Sequence, residues 1–197
     1  KTAYEISTRD WSSDVCSSDL ASMPAPRRVV DLGTGSGAIG LSLAAELPID
    51  GTEVWLTDVS SDAIDVARAN AAGLGRVAAN VRFAEGEWFA ALPNELRHGF
   101  HVVVANPPYI AIDDSEVEAS VREWEPHGAL FAGDDGLDDV RTIVRETREW
   151  LAPGGWLVME FGHRQGDAVR ALAFDAGFTD VTIAKDLARR DRFVVAR

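Results

Sequence analysis

Short apolar runs alternate with stretches of helical spacing along most of this chain. Arg28 to Leu32 predicts a first strand, and Ala38 to Leu47 a helix after it. Glu53 to Thr57 predicts a second strand. A helix should follow from about Ser61 to Ala72, with Ser60 or Ser61 as N-cap and Gly73 as stop. Asn80 to Ala84 reads as a short third strand. Phe100 to Ala105 is apolar enough to be a central strand covered on both faces. Asp138 to Leu151 carries helical spacing through Val140, Ile143, Val144 and Leu151, and Pro153-Gly154-Gly155 is expected to end it. Trp156 to Phe161 predicts a fifth strand, and Gln165 to Ala176 a helix stopped at Gly177. Thr179 to Ala184 and Arg192 to Ala196 have no helix between them, so they are expected to pair antiparallel.

Alternation of this kind predicts an α/β fold: a mostly parallel seven-stranded sheet, helices on both faces, and an antiparallel last strand. Ligands of such sheets bind at the carboxyl ends of the strands. The Gly-rich stretch after strand one, Asp58 after strand two and Asn106 after strand four are therefore expected on one rim.

Composition changes little in this picture. A hydrophobic share of 46% and a charged share of 26% are ordinary for a globular chain of 197 residues. No apolar run is long enough to span a membrane, and the first residues lack the apolar centre of a signal peptide. A cytoplasmic protein without membrane attachment is expected, and a monomer.

The first twenty residues stand apart. Lys1 to Ile6 and Asp10 to Leu20 resemble the translation of a short-read sequencing adapter. Residues 1–20 are accordingly set aside as a non-native, disordered segment, leaving 21–197 as the domain to interpret. The single cysteine, Cys16, falls in the excluded piece, which leaves no disulfide or thiolate site and suits a reducing compartment.

The charge is −13, and −11 once residues 1–20 are removed (17 basic against 28 acidic). Such a field repels phosphate, so stable nucleic-acid binding is not expected. Between Asp113 and Asp139 stand ten acidic residues and one basic residue, Arg122. That stretch reads equally as a solvated acidic loop or as a functional one.

Two motifs carry chemistry. Asp31-Leu32-Gly33-Thr34-Gly35-Ser36-Gly37 leads from strand one into a helix. Its glycines permit a tight turn and close backbone approach, and the helix start offers N–H groups and a positive dipole end. Asp58 can accept from ribose hydroxyls. Glu87-Trp88 can meet an adenine, although Trp88 could equally be plain core. The glycine pattern alone suits NAD as well as S-adenosylmethionine (SAM). The second motif, Asn106-Pro107-Pro108-Tyr109, decides for SAM. Methylating a planar amide or base nitrogen needs acceptors aimed at its N–H bonds. Asn106 supplies a side-chain carbonyl and Pro107 a backbone carbonyl. Pro107 and Pro108 stiffen the turn. Tyr109 can lie flat on the planar group. His98, His101, His127 and His163 have no ligand-like spacing, so no metal is expected.

From about Arg27 to Arg197 the chain resembles the release factor glutamine methyltransferases, HemK or PrmC. The resemblance rests on Asp31 to Ile39, Asp58, Glu87-Trp88-Phe89 and Asn106 to Ile110. It continues in Glu125-Pro126, Ala129-Leu130, Gly133 to Leu137, Glu160 to Gly166 and Asp186 to Arg192. It implies a Rossmann-like methyltransferase fold, SAM as cofactor, and transfer to the glutamine amide of the Gly-Gly-Gln loop of peptide chain release factors. It also implies cofactor binding by Asp31, Gly33, Thr34, Gly35, Ser36, Gly37, Asp58, Glu87, Trp88 and Asn106. Asn106, Pro107, Pro108 and Tyr109 become the substrate clamp, with Asn106, Pro107 and Tyr109 catalytic. The family's helical N-terminal domain has no counterpart here, Glu87 stands where Asp is commoner, and Arg189 where Gly is common. An acidic lid over Asp113 to Asp139 would attract the basic surroundings of a release factor loop. Competing readings are an amino methyltransferase acting on an RNA or DNA base, a SAM-binding module without turnover, and an NAD-dependent dehydrogenase.

Overall fold

The computed structural model describes residues 25–112 and 129–197. The expectations for residues 1–20, and for the acidic stretch as far as residue 128, lie outside the described residues. Seven strands form one sheet in the order β3-β2-β1-β4-β5-β7-β6. The chain divides into two compact units: Lys1–Ala105 with Glu149–Trp156, and Asn106–Arg148 with Leu157–Arg197.

In the first unit, β1 (Arg27–Leu32) leads through a glycine turn to α1 (Ala38–Glu46) and back to β2 (Thr52–Asp58). The helix α2 (Ser61–Gly73) then leads to β3 (Val81–Glu85), and β4 is Phe100–Ala105. β1 pairs in parallel with both β2 and β4, and β2 with β3. The apolar runs are strands because both sheet faces are covered: Val29, Val30, Leu32, Val54, Leu56, Val102, Val103 and Val104 are wholly buried. Register fixes the rim, since Leu32 lies opposite both Thr57 and Ala105. Ser60 caps α2, its hydroxyl accepting from the Ala63 N–H at 3.3 Å. Beyond β3, the buried Phe89 stacks on Trp150 with centroids 5.5 Å apart.

The second unit holds most of α3 (Asp138–Trp150), the end of β5 (Leu151–Glu160), α4 (Gly166–Asp175), β6 (Val181–Lys185) and β7 (Asp191–Ala196). β7 runs antiparallel to β5 and to β6, as the missing helix between the last two segments predicts. Its core includes Val140, Ile143, Leu157, Met159, Phe161, Val169 and Val194.

Several strand limits shift from expectation, most of all that of β5. The helix ends at Trp150, and Pro153-Gly154-Gly155 lies inside β5 instead of separating helix from strand. Close backbone approach explains the glycine: a Cβ on Gly155 would sit 2.9 Å from the Phe100 carbonyl oxygen. The third strand also starts one residue late. Asn80 instead closes a 3-10 turn, and its buried side chain donates to the Thr52 carbonyl at 2.9 Å.

Candidate functional site

Asp31 organises the glycine turn of the first unit. It has no solvent exposure. Its Oδ2 accepts from the Thr34 hydroxyl at 2.6 Å and from the Gly40 N–H at 2.8 Å, so it ties strand, turn and helix together. Its Oδ1 is buried and has no hydrogen-bond partner. Burial raises its pKa to about 6, and the nearby Asp58 charge adds to the rise. Gly33, Gly35 and Gly37 all have positive φ, at 67°, 55° and 84°. A side chain at Gly33 would meet the Trp88 ring at 3.1 Å, whereas nothing lies within 4 Å of a Cβ placed on Gly35. The turn is thus walled on one side and open on the other.

Asp58 and Trp88 complete this group. Asp58 Oδ2 accepts from the Gly35 N–H at 2.8 Å, and Oδ1 from the Ser60 N–H at 2.9 Å. The half-buried carboxylate fixes the turn and keeps acceptor capacity for further donors. Trp88 is half-buried at φ 44°, a conformation rare for a bulky residue, while Glu87 is exposed. Ser36 is fixed through its carbonyl, which accepts from Asn70 Nδ2 at 2.9 Å. An orphaned buried acceptor at Asp31, open space at Gly35, a carboxylate at Asp58 and an indole wall at Trp88 fit a ligand that carries an ammonium group, ribose hydroxyls and a flat base. These are the features of SAM.

The Asn106-Pro107-Pro108-Tyr109 turn belongs to the second unit. Asn106 is exposed, Pro107 is buried, and Pro108 and Tyr109 are half-buried. Tyr109 is held at both ends. Its hydroxyl donates to Glu160 Oε1 at 3.0 Å and accepts from Arg192 at 3.2 Å. Its carbonyl accepts from Gln165 Nε2 at 3.1 Å. The Arg192 guanidinium also lies 5.7 Å from the Tyr109 ring centroid. Burial, then the Glu160 charge, pushes the Tyr109 hydroxyl well above the usual phenol range. Burial also raises Glu160, outweighing its hydrogen bond from Tyr109 and the Arg192 charge. Asp186 goes the other way. Burial would raise it, but hydrogen bonds from the Arg190 backbone and guanidinium, with the Arg190 and Arg192 charges, hold it low.

Sequence reasoning missed Glu160, Gln165 and Arg192 as partners of the turn. They lie 51 to 83 residues from Tyr109, so no local pattern links them to it. Within the acidic stretch, Asp135 and Asp138 both bond to Arg141, so these two charges are already paired. Among the described residues, no cluster of His, Cys, Asp and Glu could hold a metal ion, and no helix is long and apolar enough to cross a membrane.

Known proteins resemble this chain in sequence and in fold. It is 46% identical over 171 residues to the release factor glutamine methyltransferase of Xylella fastidiosa strain 9a5c, covering 87% of this chain and 60% of that protein. It is 48% identical over 167 residues to the protein of the same name from Burkholderia pseudomallei, covering 83% and 57%. The chain thus spans about three-fifths of the length of these relatives. The crystal structure of a release factor-specific protein-(glutamine-N5) methyltransferase from Alicyclobacillus acidocaldarius matches with TM-score 0.51 and 29% identity, covering 90% of this chain and 83% of that one. A SAM-dependent methyltransferase from Aquifex aeolicus shares the fold, with TM-score 0.60 at 16% identity over 87% of this chain and 82% of that one. Residues 6–123 match the family model described as the methyltransferase small domain, a match that starts inside the adapter-like segment. Fold and family together indicate SAM as the methyl donor. A glycine turn on an in-register rim, an Asn-Pro-Pro-Tyr turn after β4 and a model match over more than half the sequence lead to one assignment: this chain belongs to the methyltransferase small domain family.

Proposed function

We propose that this chain transfers a methyl group from SAM to the side-chain amide nitrogen of the glutamine in the Gly-Gly-Gln loop of a peptide chain release factor. The observation that carries the reading is the Asn106-Pro107-Pro108-Tyr109 turn, stiff at its prolines and held at both ends of Tyr109, with Asn106 exposed. The names of the relatives supply the substrate class. Leu32 and Ala105, which the glycine turn and the Asn106 turn follow in the chain, are register partners, and this pairing supports the reading.

Within this reading, Asp58 accepts from ribose hydroxyls, and Glu87 and Trp88 border the adenine. The unpaired Asp31 Oδ1 accepts from the ammonium group. Gly33, Thr34, Gly35, Ser36 and Gly37 shape the floor. When bound, SAM supplies an electrophilic methyl on a sulfonium sulfur. The clamp contributes orientation and electrostatics. The Asn106 side-chain carbonyl and the Pro107 carbonyl accept the two amide N–H bonds, which localises the nitrogen lone pair and favours the positive charge that develops there. Tyr109 lies against the planar amide, its position set by Glu160 and Arg192. No strong base is required, because the N-protonated product loses its extra proton to water. Orientation of this kind contributes about 7–11 kcal/mol in favourable cases.

The enzyme would work as a cytoplasmic monomer on a protein partner, its net charge disfavouring nucleic acid. Incubation with isotope-labelled SAM and a release factor, followed by peptide mass spectrometry, tests the reading. The label is expected on the Gly-Gly-Gln glutamine alone. Label on an RNA or DNA base amine instead would replace this reading with the base-methylating one, and SAM binding without transfer would leave only a binding module.

A further inference from the structure

The Gln165 side chain joins three stretches of the second unit. Its Nε2 lies 3.1 Å from the Tyr109 carbonyl oxygen, 3.1 Å from that of Asp135 and 3.3 Å from that of Gly136. Its Oε1 accepts from the Gly162 N–H at 2.8 Å. Two amide protons serve three carbonyls, so one bond is shared. The backbone beneath is anchored as well: the Gln165 N–H donates to the Gly162 carbonyl at 2.8 Å, and the Val169 N–H to the Gln165 carbonyl at 2.9 Å.

Two glycines leave room for this clip. At Gly136, φ is +71°, and a Cβ would collide with the Tyr109 carbonyl oxygen and stand 2.9 Å from Gln165 Nε2. At Gly162, a Cβ would stand 2.8 Å from Gln165 Oε1. Neither contact can be relieved by moving a flexible chain end without breaking the hydrogen bonds just named. The ring constraint at Pro107 and Pro108 fixes φ at both residues. With the carbonyl after them pinned, few backbone freedoms remain in the turn.

We propose that Gln165 is a positioning residue of the clamp: by holding the Tyr109 carbonyl it sets the direction in which the Pro107 carbonyl and the Asn106 side chain meet the substrate nitrogen. The inference rests on the clamp reading given above. Gln165 touches no reacting atom and acts through Tyr109.

Gln165 is the only glutamine in the sequence, so glutamine-selective ¹⁵N labelling of the full chain gives a single side-chain NH2 signal. That signal should exchange with water at least about tenfold more slowly than free glutamine, and Gly136→Ala should restore fast exchange. Exchange at the free rate in the wild type overturns the proposal. The second arm is kinetic. Gln165→Ala should lower kcat by about 10- to 100-fold while the SAM Kd and the release factor KM stay within about twofold. Gln165→Glu keeps the shape but sets a carboxylate before three carbonyl oxygens, so at equal thermal stability its kcat should fall below that of the alanine variant. An active wild type with an equally active Gln165→Ala variant overturns the proposal. A wild type that methylates no release factor defeats the functional reading instead, and the amide exchange then decides the clip by itself.

Discussion

Asp31 gives a prediction whose size follows from burial. The carboxyl has no solvent exposure, two hydrogen bonds on Oδ2 and none on Oδ1. Its folded-state pKa is about 6, against 3.8 for the free group. Raising the folded value means that the native chain holds a proton the unfolded chain has released. Stability from this group is therefore fully present at pH below 3.8 and is lost as pH rises towards about 6. At 1.36 kcal/mol per pH unit the whole effect is about 3 kcal/mol. Between pH 4.5 and pH 7 it amounts to about 2 kcal/mol. Asp31→Asn keeps the shape and cannot titrate. Urea unfolding of both chains, followed by circular dichroism across that range, isolates the effect, because the difference cancels every other carboxylate. The wild-type stability minus that of the variant should fall by about 2 kcal/mol from pH 4.5 to pH 7. A difference constant to within about 0.5 kcal/mol would show that Asp31 is ionised and solvated, and would refute the buried acceptor on which the cofactor fit relies.

Asn106→Ala should reduce kcat by about 100-fold while calorimetry finds SAM affinity nearly unchanged; equal loss in both would contradict its place in the clamp. A release factor carrying Glu at the target glutamine should react at least about 10⁴-fold more slowly, since a carboxylate offers no N–H to two carbonyls, and methylation detected by mass spectrometry would undo that geometry. Tyr109→Phe should destabilise the chain by about 1–3 kcal/mol in denaturant unfolding, because the Glu160 carboxylate, only 8% exposed, loses its donor. Phe89→Ala should cost about 3–5 kcal/mol in the same measurement, given full burial and the stack on Trp150, and a loss under about 1 kcal/mol would mean the stack does not form.

Much of the architecture was written in local pattern. The apolar runs at Val29-Val30 and Val102 to Val104 read as strands, the second of them as central, and the structure has both as wholly buried neighbours in the sheet. Ser60 starts a helix because an N-cap hydroxyl acts within one turn, and that helix ends at Gly73, where the sequence placed its stop. The glycine turn was equally legible, because positive φ at Gly33, Gly35 and Gly37 is a property of single residues. Pro153-Gly154-Gly155 misled for the complementary reason. Local chemistry says break, but the Phe100 carbonyl passes so close to Gly155 that only a residue without a side chain fits the strand.

Sequence by itself determined the order of elements, the glycine turn and the Asn106-Pro107-Pro108-Tyr109 turn, since each depends on residues adjacent in the chain. What holds that second turn was decided only by tertiary structure. Glu160, Arg192 and Gln165 reach Tyr109 across long stretches of chain, and their hydrogen bonds exist only once β5, β7 and α4 are folded. The same holds for the environment of Asp31, whose place before the glycine turn is read from the sequence but whose complete burial is not. Burial against the glycine turn makes Asp31 a reluctant acid, because a carboxylate shut away from water keeps its proton until the pH nears 6.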